Sequence, residues 1–179
     1  MRTTRRSLMV GGLAGMVSAP TLAANARWRW RHGERSVLLF DPTLDIGHRF
    51  ANAGRAAGGP VLRLEGDSVR LAQAVLEERP ALVAGVSRHA EALLFEEVAN
   101  EAGYVRVALL EGTNSGCATS DCRPGWTALG QMARRAGVYW VDAFAGYAVR
   151  PESSEVKPIR QKPRTARHRA FAWMLARAI

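Results

Sequence analysis

Val37-Leu38-Leu39-Phe40 runs directly into Asp41-Pro42, and the same arrangement returns along the chain. Four β-prone, continuously apolar residues are too few for a helix and have no polar face, so they predict a strand buried on both sides. Thr43 to Ala57 then shows helical spacing, with Leu44, Phe50 and Ala53 on one side, and Gly58-Gly59-Pro60 ends it. A second strand, Val61 to Leu64, closes on Glu65-Gly66-Asp67, where Asp67 or Ser68 can cap a helix carrying Leu71, Val75 and Leu76 up to Pro80. A third strand, Ala81 to Val86, leads through Ser87-Arg88 into a helix with Ala92, Leu93, Phe95, Glu96 and Val98. Gly103 stops that helix before a fourth strand, Val105 to Leu110.

Apolar strands alternating with amphipathic helices predict a parallel sheet covered on both faces. Right-handed crossovers make this an α/β three-layer sandwich with a four- to five-stranded, mainly parallel, flavodoxin-like sheet. A fifth unit is less regular. Trp126 to Arg135 reads as a helix, and Val138 to Val141 as a strand or the helix's continuation.

The composition agrees with a globular chain: 179 residues, 47% hydrophobic and 23% charged, enough for one compact domain. It excludes collagenous, coiled-coil and wholly disordered classes, and most multidomain enzymes. The net charge of +9 is unevenly placed. Residues 27–149 carry equal numbers of acidic and basic side chains, so the excess lies in the N-terminal Arg2, Arg5 and Arg6 and in the tail from Arg150 onward.

Thr4-Arg5-Arg6-Ser7-Leu8-Met9 resembles the twin-arginine export motif, with Leu8-Met9 where Phe-Leu is usual and Val10 where Lys is frequent. A weakly apolar stretch diluted by Gly11, Gly12 and Gly15 follows, then small residues with Ala24-Asn25-Ala26 as a cleavage site. A basic start, a short apolar core and a small-residue end describe a processed signal over residues 1–26, not a membrane span of ~20 apolar residues. An ordinary secretory signal with two chance arginines is the alternative. No later segment is long and apolar enough to span a bilayer. The resemblance implies twin-arginine export and a periplasmic protein.

Residues 27–149 are then the α/β domain, residues 150–163 a Ser-, Pro-, Glu- and Lys-rich linker, and residues 164–179 a basic amphipathic helix. Phe171, Met174, Leu175 and Ala178 share the apolar face of that helix, and Arg164, Arg167, His168 and Arg169 gather near its start. Such a helix either docks on its own domain or offers Arg164, Arg167 and Arg169 to an acidic protein partner; the periplasm argues against nucleic acid. Trp28 and Trp30, alternating with Arg27, Arg29 and Arg31, read either as a partner-binding arm or as an edge strand.

In an open parallel sheet, ligands bind at the carboxyl ends of the strands. That rule collects Asp41, Glu65, Asp67, Ser87, Arg88, His89, Glu111 and Asn114 on one rim, where carboxylates, a cation, an imidazole and helix N-termini converge. Asp67 and Ser87 read equally as helix caps. Gly85-Val86-Ser87-Arg88-His89 sits where a nucleophile elbow would, with Asp121 or Asp142 and then His168 following in chain order, but its last position is His89 instead of Gly. Asp41-Pro42-Thr43 lacks the second Asp of a phosphatase loop. Ser87, Asp41 and His89 are the weak catalytic candidates. Cys117 and Cys122, in a loop and in an oxidising compartment, point to a disulfide closing a short loop. The four histidines are scattered without metal spacing, and no glycine-rich nucleotide loop occurs, so no metal or cofactor is expected.

The export motif, a strand ending in Phe40-Asp41, an Ala- and Gly-rich first helix and Leu64-Glu65-Gly66-Asp67 together resemble a group of small exported proteobacterial proteins. That resemblance spans Arg5 to Leu110 and implies no particular activity or catalytic residue. The expectation is an exported accessory or small-ligand-binding protein without a complete catalytic constellation. The alternatives are a small hydrolase using Ser87 or the Asp41/Asp67 rim, and a partner subunit of a co-exported cofactor enzyme.

Overall fold

The computed structural model describes residues 35–150 and 169–178. The signal, the Trp28/Trp30 segment, the linker from 151 onward, Arg164, Arg167 and His168 lie outside the described residues. The first four units form where the apolar runs place them: β1 (Ser36–Phe40), α1 (Asp45–Ala56), β2 (Val61–Arg63), α2 (Ser68–Glu77), β3 (Leu82–Ser87), α3 (His89–Glu101) and β4 (Tyr104–Thr113). After them come β5 (Gly116–Cys122), α4 (Thr127–Arg135), a 3-10 turn (Gly137–Tyr139), α5 (Trp140–Val149) and β6 (Ala170–Arg177). Among the described residues no helix is long and apolar enough to cross a membrane.

Two elements correct the sequence reading. Within the stretch read as a basic C-terminal helix, the described residues Ala170–Arg177 form a strand, and the loop between Cys117 and Cys122 is another. The sheet therefore has six strands in the order β2-β1-β3-β6-β4-β5 and is mixed, not a four- to five-stranded, mainly parallel flavodoxin-like sheet. Only β1–β2 and β1–β3 pair in parallel; β3–β6, β6–β4 and β4–β5 pair antiparallel. Val138–Val141 is likewise not a strand but the 3-10 turn running into α5.

The physical reason is in β6 itself. Ala170-Phe171-Ala172-Trp173-Met174-Leu175-Ala176 alternates with period two as well as it fits a helix. Phe171, Trp173 and Leu175 take one face of the sheet, while the small Ala170, Ala172 and Ala176 with Met174 take the other. A strand buried on both faces satisfies its backbone on both sides, with β3 and with β4, and no docked helix would bury as much.

The helices divide by face. Ile46 and Phe50 of α1, Leu129 of α4 and Phe144 of α5 pack with Leu38, Ala84, Leu110 and Met174 in one core. Val75 of α2 and Phe95 of α3 pack with Leu39, Val83, Trp173 and Leu175 in the other. Because β6 is antiparallel to both β3 and β4, those two strands run in the same direction as β1 and β2. The carboxyl ends of β1 to β4 and the start of β6 thus share one edge of the sheet. That edge positions the site.

Candidate functional site

The middle of the rim is the junction of β1 and β3. Here the chain leaves β1 for α1 on one face and β3 for α3 on the other, the reversal of strand order at which open α/β sheets place their binding crevice. Asp41 stands at its floor, 4% exposed. Its Oδ1 accepts from the N–H of Thr43 at 2.8 Å and from the Thr43 hydroxyl at 2.7 Å. Across the crevice, Arg88 places Nε 3.6 Å from Asp41 Oδ2 and donates through Nη2 to Thr43 Oγ1 at 3.1 Å. Gly47 is what lets α1 start so near this floor: a Cβ at that position would lie 2.4 Å from the Asp41 carbonyl oxygen.

Next along the rim, the His89 ring lies against Phe171, centroids 4.6 Å apart. Beyond it, Arg169 at the mouth of β6 pairs with Glu111 Oε1 at 3.0 Å, and the Thr119 hydroxyl is 3.5 Å from the other oxygen of Glu111. Asn114 is buried just past the end of β4, where the indole of Trp140 donates to the Thr113 carbonyl at 2.8 Å. The strand-end rule did bring these residues to one edge. It missed Arg169 as a rim residue, because the tail carrying it was read as a helix.

Other expected rim residues serve the fold. Asp67 caps α2, its Oδ1 accepting from the N–H groups of Val69 and Arg70 at 3.0 and 3.1 Å. Glu65 forms an exposed pair with Arg63 beside the edge strand β2. Ser87 is wholly buried; its hydroxyl donates to the Arg88 carbonyl at 2.9 Å and accepts from the Trp173 indole at 3.0 Å. A nucleophilic serine needs an exposed oxygen and a base within reach, and this oxygen is held inside the core. His168, the base expected from chain order, lies outside the described residues.

Arg49 is the site-adjacent residue that the sequence reading overlooked. It ion-pairs with Asp142 and donates to the Val138 carbonyl at 2.8 Å, with its guanidinium 5.9 Å from the Tyr139 ring. Burial pushes the Asp142 carboxyl above the usual carboxylate range, and the Arg49 charge offsets part of that. The pair ties α1 to the start of α5, and removing one partner alone would leave a buried charge uncompensated. The available signal was an arginine on the apolar stripe of α1, three residues after Ile46 and one before Phe50.

Cys117 and Cys122 are free thiols, which corrects the expected bridge. They stand at the two ends of β5, roughly 13–16 Å of extended chain apart, whereas a disulfide needs Cα atoms within about 7 Å. Burial pushes both thiols above their ordinary range, with Arg134 nearby pulling the other way. Thiolate is the reactive form, so both cysteines should label slowly with a thiol-specific disulfide reagent in the native protein and promptly in denaturant. The intact mass should show no loss of two hydrogens.

The arrangement is suited to binding. The rim's two guanidinium groups are held loosely: the Arg88 side chain is 63% exposed, that of Arg169 77%. The mainly exposed Arg169 pair contributes only about 0–1 kcal/mol, and the Arg88–Asp41 contact is long, with the buried Asp41 carboxylate keeping its two bonds from Thr43 when Arg88 turns to a ligand's acid group. Comparison with protein-family models, with curated proteins and with solved structures finds no match.

Proposed function

We propose that this is a periplasmic accessory protein, exported through the twin-arginine pathway, that binds a small molecule bearing an acid group across the β1–β3 crevice. One observation carries the reading. Arg88, on β3's loop, reaches over the crevice to Asp41 and Thr43 on β1's loop through contacts weak enough to be exchanged, at the place where helices depart to opposite faces. Arg169 and the His89–Phe171 pair extend the same surface with a second cation and a flat aromatic wall. The export half of the proposal is supported by Thr4-Arg5-Arg6-Ser7-Leu8-Met9.

Native mass spectrometry of the protein recovered gently from its host's periplasm is the test. The expected result is a stoichiometric extra mass of small-molecule size that Arg88→Ala loses while keeping its circular-dichroism spectrum. Arg5→Lys with Arg6→Lys should remove the protein from the periplasmic fraction. A bare mass for the wild-type protein would overturn the binding reading, and unchanged export of the double-lysine variant would overturn the export reading.

A further inference from the structure

Away from the rim, a small open cavity lies against β4 and α3. An irregularity in the β4–β6 register between Arg106 and Ala108 places Val107 and Ala108 together in the core shared with α1, α4 and α5. Arg106, paired across the sheet with Leu175, is left on the opposite face beside α3. The cavity, about 80 Å3 in volume, is lined by Glu96, Arg106, Val107, Ala108, Asp121 and Arg123. A water needs about 10–15 Å3 of such space, so there is room here for several waters or one small oxyanion.

The charges in it are unequally engaged. Arg106 donates through Nη1 to Glu96 Oε2 at 2.6 Å, an ion pair in which both side chains are mostly buried. Its Nη2 stands 3.6 Å from Asp121 Oδ2, beyond hydrogen-bond distance, and the Asp121 side chain is 77% exposed. Arg123 is fixed just after β5 by its backbone N–H, which donates to the Val107 carbonyl at 2.9 Å. Its guanidinium has no ion-pair or hydrogen-bond partner among the described residues. Two guanidinium groups thus share one cavity with one carboxylate firmly held and a second resting loosely in water.

We propose that this cavity binds a small oxyanion, the carboxylate or phosphate group of a ligand, between Arg106 and Arg123, with Asp121 released to solvent. A guanidinium presents forked donors that match either group, and charge-assisted hydrogen bonds of this kind are the strong ones. Releasing Asp121 costs little, because an exposed contact of this length contributes little. Arg106 stays compensated throughout, and Arg123 gains the partner it lacks.

The test is a titration of the intact mature protein with sodium acetate and, separately, inorganic phosphate at low ionic strength. Binding is followed through the amide resonances of Val107, Ala108 and Arg123. Saturable shifts with either anion are the expected result, and the preferred anion identifies which acid group the site takes. Arg123→Gln, at an exposed position, is expected to weaken binding about tenfold or more. Asp121→Asn is expected to strengthen it several-fold, since it removes the competing carboxylate. Arg88→Ala, which alters the rim, should leave these shifts unchanged. Absence of saturation, weaker binding by Asp121→Asn, or loss through Arg88→Ala would each overturn the proposal.

Discussion

Deleting residues 151–179 is expected to leave no folded protein. A sequence reading of the tail as an appended helix would expect the truncated chain to keep its structure, so the experiment separates the two descriptions. β6 pairs along its length with β3 from Leu82 to Ser87 and with β4 from Tyr104 to Gly112. Without it the sheet splits into β2-β1-β3 and β4-β5, each with an open edge where a central strand had been. Trp173, Met174 and Leu175 are each at most 1% exposed, and burying a side chain of that size is worth about 1.5–3 kcal/mol. Losing three of them approaches the ~5–15 kcal/mol by which a whole domain is stable, before any unpaired backbone is counted. The truncated chain should show no dispersed amide spectrum and no cooperative thermal transition. A synthetic peptide of residues 164–179 added in trans should restore both, since the slot between β3 and β4 is built for that strand. A truncated chain with an unchanged melting transition would show that β6 is dispensable.

How far the fold could be read in advance depended on whether a segment's structure is settled locally. β1 to β4 were legible because each is a short, continuously apolar run bounded by turn residues, with a helix beside it whose apolar spacing is clear. The Asp67 cap was legible for the same reason. β6 was not, because Phe171, Met174, Leu175 and Ala178 fit a helix while Phe171, Trp173 and Leu175 fit a strand. What decides between them is a slot made by β3 and β4, whose paired residues lie 58 or more positions away in sequence. β5 was illegible for the opposite reason. Gly116-Cys117-Ala118-Thr119-Ser120-Asp121-Cys122 has little apolar alternation, and it is a strand because β4 pairs with it on one side and α4 covers one of its faces. A register shift between Glu111 and Gly112 further blurs its period.

The rim survived these errors because the strand-end rule depends on strand direction alone. Inserting β6 changes which strands are neighbours but leaves β4 running with β1 to β3, so Glu111 and Asn114 still arrive at the same edge of the sheet as Asp41 and Arg88. Sequence could not show which of these groups are consumed by the fold. The Ser87 hydroxyl looked available beside a glycine-containing strand end, yet its partner is an indole from the other end of the chain.

That indole sets the second large expected effect. Gly85→Ala should destabilise the protein by about 3 kcal/mol, toward the upper end of what overpacking a well-filled core costs. Gly85 lies directly across from Trp173 in the β3–β6 register, and a Cβ there would be 2.2 Å from Trp173 Cζ2 and 2.4 Å from Cε2. The ring cannot simply turn aside. Its Nε1 is hydrogen-bonded to the buried Ser87 hydroxyl, and its face packs on Phe95 with centroids 5.0 Å apart. Moving it would leave a buried donor unsatisfied, a penalty of about 1–3 kcal/mol. The alternative is for β3 and β6 to part, which disturbs the centre of the sheet. Trp173→Phe should itself cost about 2–4 kcal/mol through the space and the hydrogen bond it gives up. In that background the clashing atoms are gone, and Gly85→Ala should cost less than about 1 kcal/mol, since alanine is the better strand residue. Urea unfolding of the four proteins closes the cycle, with an expected coupling of about 2 kcal/mol between the two positions. Additivity within ~0.5 kcal/mol would mean that Gly85 is required by something other than the indole opposite it.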